Sequence, residues 1–335
     1  MGCSTLPVQK EPAEMGAQWR AVHLLDYDTD EKLNELGNKI PGLVRLGINV
    51  IFLEVNYNFD YKSHPELRRG DTPVTEEAAR TFAATCRKHG IRLIPQFQSL
   101  GHQSWEEETF PLLTVYPEFD TTPGAYPGNE GLYCREWDPL NPRINPIIFA
   151  LMDELIDAFE ADAFHVGMDE VFLLGNEFSP STKGKDPAEL FTKVVNEIYG
   201  HLVTERGVEM LMWGDRLIDG EEYDYGEWES AVNGTAPAVD LIPNDIIICD
   251  WHYERREEYP SIPMFIEKGF RVLPGGWRDV KATKSLIRYS QNQNSPLMLG
   301  YLFTTWGSEK QEVTMFPPIL KGTELLKKLA RQKSN

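Results

Sequence analysis

Cysteine is scarce in this chain: Cys3, Cys86, Cys134 and Cys249 are the only four in 335 residues. None forms a Cys-x-x-Cys pair, and no His stands beside one at metal-ligand spacing. Neither a disulfide framework nor a zinc site is therefore supported. Cys86, in a helical pattern, and Cys249, in an apolar strand, read as small core residues. No apolar run approaches the roughly 20 residues of a membrane-spanning helix. Positive charge is short as well, with 33 Lys and Arg against 52 Asp and Glu and a net charge of −19. So acidic a surface repels phosphate backbones and anionic membranes, so no nucleic-acid partner is expected, and strongly anionic glycans are disfavoured. Glycine-rich phosphate loops of the G-x-G-x-x-G or Walker type are missing. The first strand also lacks the His-x-His of barrel metallohydrolases. Neither cofactor nor metal is expected.

Residues 1–18 carry Pro7 and Pro12 and little apolar periodicity, which reads as a disordered segment. The start Met1-Gly2-Cys3-Ser4 leaves two readings open. In one, Gly-Cys is the cleavage end of a bacterial lipoprotein signal whose apolar part is missing. Cys3 would then carry lipid and tether the protein to the cell envelope, its only route to a membrane. In the other, the segment is an ordinary terminus and the protein is cytoplasmic. Myristoylation fails because Leu6 stands where Ser or Thr is wanted.

What the chain does have is apolar segments in quantity, at 41% hydrophobic residues, enough for a large core. From Arg20 onward, short apolar strands alternate with helical patterns. The strands are expected at 21–26, 49–55, 91–97, 163–167, 208–213, 245–250, 270–274 and 297–304. They are continuously apolar, as parallel strands buried on both faces should be. Helices are expected at 31–46, 76–89, 145–160, 187–206, 260–268, 280–290 and 318–333. Gly47, Gly90, Gly207 and Gly269 stand where helix C-caps belong. The fifth helix, within 214–244, has the weakest pattern. Eight strand–helix units argue for a single α/β domain, a (β/α)8 barrel over residues 19–335. The segment 98–143 is too long for an ordinary loop and is expected to roof the active face.

In such a barrel the chemistry sits at the C-terminal ends of the strands. The fourth strand ends His165-Val-Gly-Met-Asp169-Glu170, and the third leads into Gly101-His102. The others end at Trp213-Gly-Asp215, Asp250-Trp251-His-Tyr253, Trp277-Arg-Asp279 and Trp306-Gly-Ser-Glu309. Carboxylates and Trp recur at one end. An ion-pair layer that merely stabilised the barrel would not need Trp each time. An Asp-Glu dipeptide alone signals little, since it also opens helices. Its place at an apolar strand end is what raises it. Adjacent residues of an extended segment point to opposite sides, so the two carboxylates need not share a task. Glycoside hydrolysis uses such a division, with one carboxyl protonated and the other charged.

Not every polar or aromatic residue is read as functional. His23 is expected to be a satisfied core histidine, and His64, His89 and His201 surface or helix-end residues. His252 stays open between core and site. Trp19, Trp105, Trp137 and Trp228 are read mainly as packing, with an outer sugar subsite as the other reading of Trp105 and Trp137. Glu106-Glu-Glu108 reads as a solvated helix start.

The hexapeptide 165–170 resembles the His-x-Gly-x-Asp-Glu hallmark of glycoside hydrolase family 20. Arg20-Ala-Val-His-Leu-Leu-Asp26, Leu93-Ile-Pro-Gln-Phe-Gln-Ser-Leu-Gly-His102 and the run 165–175 resemble its hexosaminidase D branch. The resemblance implies a retaining, exo-acting β-N-acetylhexosaminidase acting on glycans that end in GlcNAc or GalNAc. Catalysis would be substrate-assisted, with the 2-acetamido oxygen forming an oxazolinium ion. It makes Glu170 the acid and base, and Asp169 the group that orients the acetamide. Tyr253 or Trp277 would hold the acetamide, while Trp213, Trp251 and Trp306 wall the pocket. His102 and His165 would join the carboxylate network, and Asp279 and Glu309 would contact sugar hydroxyls.

The chain departs from that pattern in places. The segment after the first strand, Asp26-Tyr-Asp-Thr-Asp30, lacks the Arg that grips the sugar's 3- and 4-hydroxyls in many members. Strand two offers Glu54 and Asn56 where an Asp relay is common. Loss of the clamp would admit the axial 4-hydroxyl of GalNAc. Two other readings remain. One is a hydrolase for a modified or internal hexosamine. The other is a catalytically silent carbohydrate-binding barrel, against which the intact Asp169-Glu170 pair argues. No pattern fixes linkage, aglycone or oligomeric state.

Overall fold

The computed structural model describes residues 18–306 and 312–333, so Cys3 and Glu309 lie outside the described residues. The strands are β1 (Trp19–Leu24), β2 (Val50–Glu54), β3 (Arg92–Ser99), β4 (Ser104–Trp105) and β5 (Glu108–Thr109). They continue with β6 (Ala163–Gly167), β7 (Glu209–Trp213), β8 (Ile247–Trp251), β9 (Arg271–Gly276) and β10 (Gly300–Phe303). The helices are α1 (Asp30–Leu46), α2 (Glu76–Lys88), α3 (Pro111–Val115), α4 (Ile144–Ala158) and α5 (Pro187–Tyr199). After them come α6 (Gly220–Tyr223), α7 (Ser261–Glu267), α8 (Val280–Asn292) and α9 (Pro317–Lys333). Eight strands pair in parallel in the closed order β1-β10-β9-β8-β7-β6-β3-β2, which is the expected barrel. No described helix is long and apolar enough to cross a membrane.

Strand alternation divides the core in two. Val50 and Phe52 of β2 point into the barrel with Ala21, Ile94, Leu211, Ile247 and Leu302. Ile51 and Leu53 point outward, under the helices. Helix α1 shows how a helix is fixed against that outer layer. Thr29 caps its start and Gly47, at φ 104°, its end. Leu33, Leu36, Ile40 and Leu43, spaced along one face, bury completely. Each such side chain is worth about 1.5–3 kcal/mol of burial. At the N-terminal ends of the strands, Arg92 and Arg271 both pair with Glu209, and Arg92 also with Asp162. The ionic layer thus lies at one end, with Arg92 over the Trp19 ring, and the Trp residues that close the strands lie at the other.

The local departures have physical causes. The expected helix 187–206 stops at Tyr199 and widens into a π turn over Gly200–Glu205. That turn carries His201 inward against Phe149, with Asp153 and Glu205 on its two nitrogens, so it is not a surface residue. The fifth helix is reduced to the four-residue α6 and a 3-10 turn at Ala236–Asp240. Glu106–Glu108 fall in the tight β4–β5 hairpin rather than at a helix start, although they are exposed as expected. Trp137 is buried packing. Trp105 and Trp228, read mainly as packing, stand 47% and 44% exposed.

Candidate active site

Positive backbone φ angles at non-glycine residues gather at the strand ends of the aromatic face. Asp26 follows β1, Asn56 follows β2, Leu100 and His102 follow β3, Met168 and Glu170 follow β6, and Trp306 follows β10. Each such conformation costs on the order of 1 kcal/mol, and clusters of them mark sites that the rest of the fold holds in place. No helix begins at Asp169-Glu170, because α5 starts only at Pro187, so a helix-start role for the pair is ruled out.

Glu170 adopts φ 51° rather than an extended conformation. The expectation that neighbouring side chains diverge therefore fails here. Both carboxylates meet His102, whose Nε2 lies 3.0 Å from Glu170 Oε2 and 3.5 Å from Asp169 Oδ2. A β-bulge explains part of this. Pairing of β3 with β6 slips by one residue between Gln96↔His165 and Ser99↔Gly167. The slip re-aims Gln98, whose amide donates to Asp169 Oδ1.

The pocket's electrostatics follow from burial and these contacts. Burial opposes charge on Asp169. The charge and hydrogen bond of His102, with the Gln98 amide, outweigh it and hold the carboxyl below its ordinary range. Burial likewise opposes charge on His102. Cys134, Asp169 and Glu170 more than offset it, raising His102 well above the usual imidazole value. These contacts favour the protonated form of His102, whose Nε2 lies between the two carboxylates. Tyr133, from the roof, donates its hydroxyl to Glu170 Oε2 at 2.7 Å. Burial and the neighbouring Glu170 charge keep that phenol protonated.

From behind, Asp215 accepts the Glu170 backbone N–H at 2.9 Å and pairs with the buried Arg216 at 2.7 Å. Burial lifts the Asp215 carboxyl to about 6 against the pull of Arg216. Glu136 accepts the backbone N–H groups of Phe172 and Leu173, fixing the chain that follows the carboxylate pair.

The aromatic residues form one connected wall. Trp213, fully buried among the residues inside the barrel, contacts His165 at 4.6 Å and Trp306 at 5.5 Å between ring centroids. Trp306 Nε1 donates to the Tyr253 hydroxyl. Tyr253 stacks on Trp251 at 4.7 Å and approaches Trp277 at 5.5 Å. The charges of Glu170 and Asp169 reach Tyr253 and add to the burial that raises its phenol. His165 is fully buried beside Trp213, and burial holds its pKa well below normal, so it serves as a neutral part of the floor.

Asp279 is exposed and caps α8, its Oδ1 accepting from Lys281 N and Ala282 N at 2.7 Å each. Glu309 lies outside the described residues. His252, left open by the sequence, is a buried scaffold residue. It is held by Glu229 at 2.9 Å and Asp250 at 3.1 Å, and those charges overcome burial to raise it to about 9. His23 is buried as expected but is not satisfied, since neither ring nitrogen makes a hydrogen bond among the described residues; its Nε2 lies 3.3 Å from Glu54. Glu54 accepts from Asn56 and Gln96, so the strand-two carboxylate pairs with His23 rather than with His102.

Among the described residues, His102, Asp169 and Glu170 form the one cluster whose ligand atoms, all within 4.8 Å of one another, match a metal site. His102 Nε2 lies between the two carboxylates, and Gln98 and Tyr133 donate to the same pair. Gln98, Tyr133, Glu136, Asp215 and Arg216 were not picked out as site residues from the sequence. Gln98 and Asp215 lie at strand ends, Asp215 in the run Trp213-Gly-Asp215, to whose carboxylate the sequence pattern assigns no role. Tyr133 and Glu136 lie in an irregular segment with no periodicity to mark them.

Comparison with known proteins gives this arrangement a context. The family model described as "Glycosyl hydrolase family 20, catalytic domain" matches residues 56–274. A beta-hexosaminidase of Emericella nidulans is 22% identical over 271 residues, covering 72% of this chain and 40% of that protein. Hexosaminidase D of Bos taurus is 25% identical over 211 residues, 60% of this chain and 56% of that one. The chain thus spans about half or less of the length of these curated relatives. The crystal structure of Flavobacterium johnsoniae chitobiase superposes with a TM-score of 0.65 at 20% identity, over 92% of this chain and 48% of that one, a likeness of fold.

Proposed function

As this chain belongs to glycosyl hydrolase family 20, we propose that it is a retaining, exo-acting β-N-acetylhexosaminidase that removes terminal GlcNAc or GalNAc from glycans. The observation that carries the reading is the His102 bridge, which brings Asp169 and Glu170 together in one pocket. In this reading Glu170 gives its proton to the glycosidic oxygen as the bond from that oxygen to the anomeric carbon breaks. The substrate's acetamido oxygen attacks the same carbon and closes an oxazolinium ring. Asp169, kept charged by His102 and Gln98, accepts the acetamide N–H and stabilises the positive charge that develops there. Water then attacks the anomeric carbon, Glu170 takes its proton, and the acetamide re-forms with the β configuration kept. The substrate itself supplies the nucleophile, which sets this apart from the two-carboxylate retaining scheme.

The Trp213–Trp306–Tyr253–Trp251 wall supports the reading by offering apolar faces to the ring and excluding water from the ion. Tyr253 is the group proposed to meet the acetamide. The segment after β1 is used structurally, with Thr29 capping α1 and Asp30 accepting from Thr75, so no cation from there clamps the 3- and 4-hydroxyls. Acceptance of both epimers follows. The test is hydrolysis of the aryl β-glycosides of GlcNAc and GalNAc by the wild type and by Glu170→Gln. Turnover of both by the wild type, lost on substitution, is expected. Folded wild-type protein inactive on both would overturn the proposal, and strict GlcNAc preference would overturn the epimer claim.

A further inference from the structure

Above Glu170, four aromatic side chains from four stretches of chain converge although none belongs to the pocket wall. Trp105 comes from the β4–β5 hairpin, Tyr133 from the roof, Phe172 from the chain after β6, and Trp228 from the stretch after α6. Tyr133 lies at the centre, its ring 4.8 Å from Trp228, 5.5 Å from Trp105 and 5.9 Å from Phe172. Phe172 and Trp228 meet edge to face at 5.7 Å. Trp105 also lies nearly parallel to His102, at 6.1 Å. The two Trp rings remain about half exposed.

Exposed Trp faces that merely filled space would not need a rigid support, and these have one. Fully buried Arg216 donates to the carbonyl oxygens of Glu227, Trp228 and Ser230, and its guanidinium lies 4.6 Å over the Phe172 ring. The same Arg216 pairs with Asp215, which accepts the Glu170 backbone N–H. The stretch that carries Trp228 and the catalytic carboxylate are therefore braced by one ion pair. Opposite them, Asn129 accepts from Arg135 and reaches the Glu106 carbonyl with its amide, tying the roof to the hairpin that carries Trp105.

We infer that Trp105, Tyr133, Phe172 and Trp228 form a leaving-group subsite that receives the pyranose ring next to the hexosamine being removed. The inference rests on the hexosaminidase reading. The oxygen that Glu170 protonates must lie within hydrogen-bond reach of its carboxyl, where the Tyr133 hydroxyl already stands at 2.7 Å. Whatever that oxygen carries must therefore pass beside the Tyr133 ring and the exposed Trp rings that flank it. Sugar rings present apolar C–H faces to such surfaces, and the Tyr133 hydroxyl and exposed carboxylates such as Glu106 and Glu227 supply polar partners at the edges. A small alkyl aglycone would leave the platform empty.

The measurement is kcat/KM on two substrates, the β-1,4-linked GlcNAc disaccharide and methyl β-GlcNAc, for the wild type, Trp228→Ala and Trp105→Ala. The disaccharide-to-methyl ratio should fall about tenfold in each variant, the equivalent of ~1.4 kcal/mol of lost discrimination. The loss should appear in KM for the disaccharide, and Trp228→Phe should restore most of it. Hydrolysis of both substrates with an unchanged ratio in both variants would overturn the subsite. Failure of the wild type on both substrates would instead sink the hexosaminidase reading on which it stands.

Discussion

A methyl group added at Gly167 would sit 1.8 Å from Gln98 Oε1. That contact explains why glycine stands two residues before Asp169. Its φ of 68° already disfavours any other residue, and the space a Cβ needs is taken by the amide that holds the carboxylate. Gly167→Ala should cost about 1–3 kcal/mol of stability from backbone strain, with kcat/KM falling further because Gln98 is displaced from Asp169. Chemical denaturation and turnover on an aryl hexosaminide would check this. Wild-type values of both would contradict it.

His102 is the group that keeps Asp169 charged against its burial. With His102→Gln, burial is opposed only by the Gln98 amide and the local backbone N–H, and the Asp169 carboxyl rises from its depressed value. The charged form that the acetamide needs then disappears at a higher pH on the acid side. We expect kcat to fall by about 100-fold and the acid limb of the pH–rate profile to move upward. A reduced rate with an unmoved acid limb would mean that His102 acts without holding the Asp169 charge.

Glu136 gives the fold a stability that depends on pH. Burial raises its carboxyl from 4.5 to about 7, against the pull of the Leu173 and Phe172 N–H groups and the charges of Arg216 and His102. Its folded value lies above its unfolded one. Its contribution is therefore full below the unfolded value and is lost as pH rises through about 7. Glu136→Gln keeps an acceptor for the two N–H groups and removes the titration. Between pH 5 and pH 8, roughly the span of that loss, the stability of the wild type should fall relative to the variant. Parallel denaturation midpoints across that range would refute the assignment.

The barrel was legible because its information is local and periodic. The runs at 163–167 and 280–290 fall almost where β6 and α8 lie, since continuous apolarity and helix-period apolarity are properties of neighbouring residues. The carboxylate pair was legible from its place at a strand end. What sequence could not supply was convergence across distance. Tyr133 reaches Glu170 over 37 residues of chain, from a roof that lacks any repeat to flag it. Asp279 is ambiguous in the sequence because an Asp after a strand and before a helix serves equally as a cap or as a ligand, and the Lys281 and Ala282 N–H groups identify the cap. The opposite-sides argument for Asp169 and Glu170 failed for a related reason, since a positive φ at Glu170 breaks the extended geometry it assumed.

The central claim is that Asp169 and Glu170 assist attack by the substrate's own acetamide. The most direct test is a series of aryl β-GlcNAc substrates whose N-acetyl group carries zero, one, two or three fluorines. Fluorine weakens the amide oxygen as a nucleophile and leaves the glycosidic bond unchanged. The account predicts a steep, stepwise fall in kcat with each fluorine. A flat series from an active enzyme would contradict it, because the attacking group would then have to come from the protein.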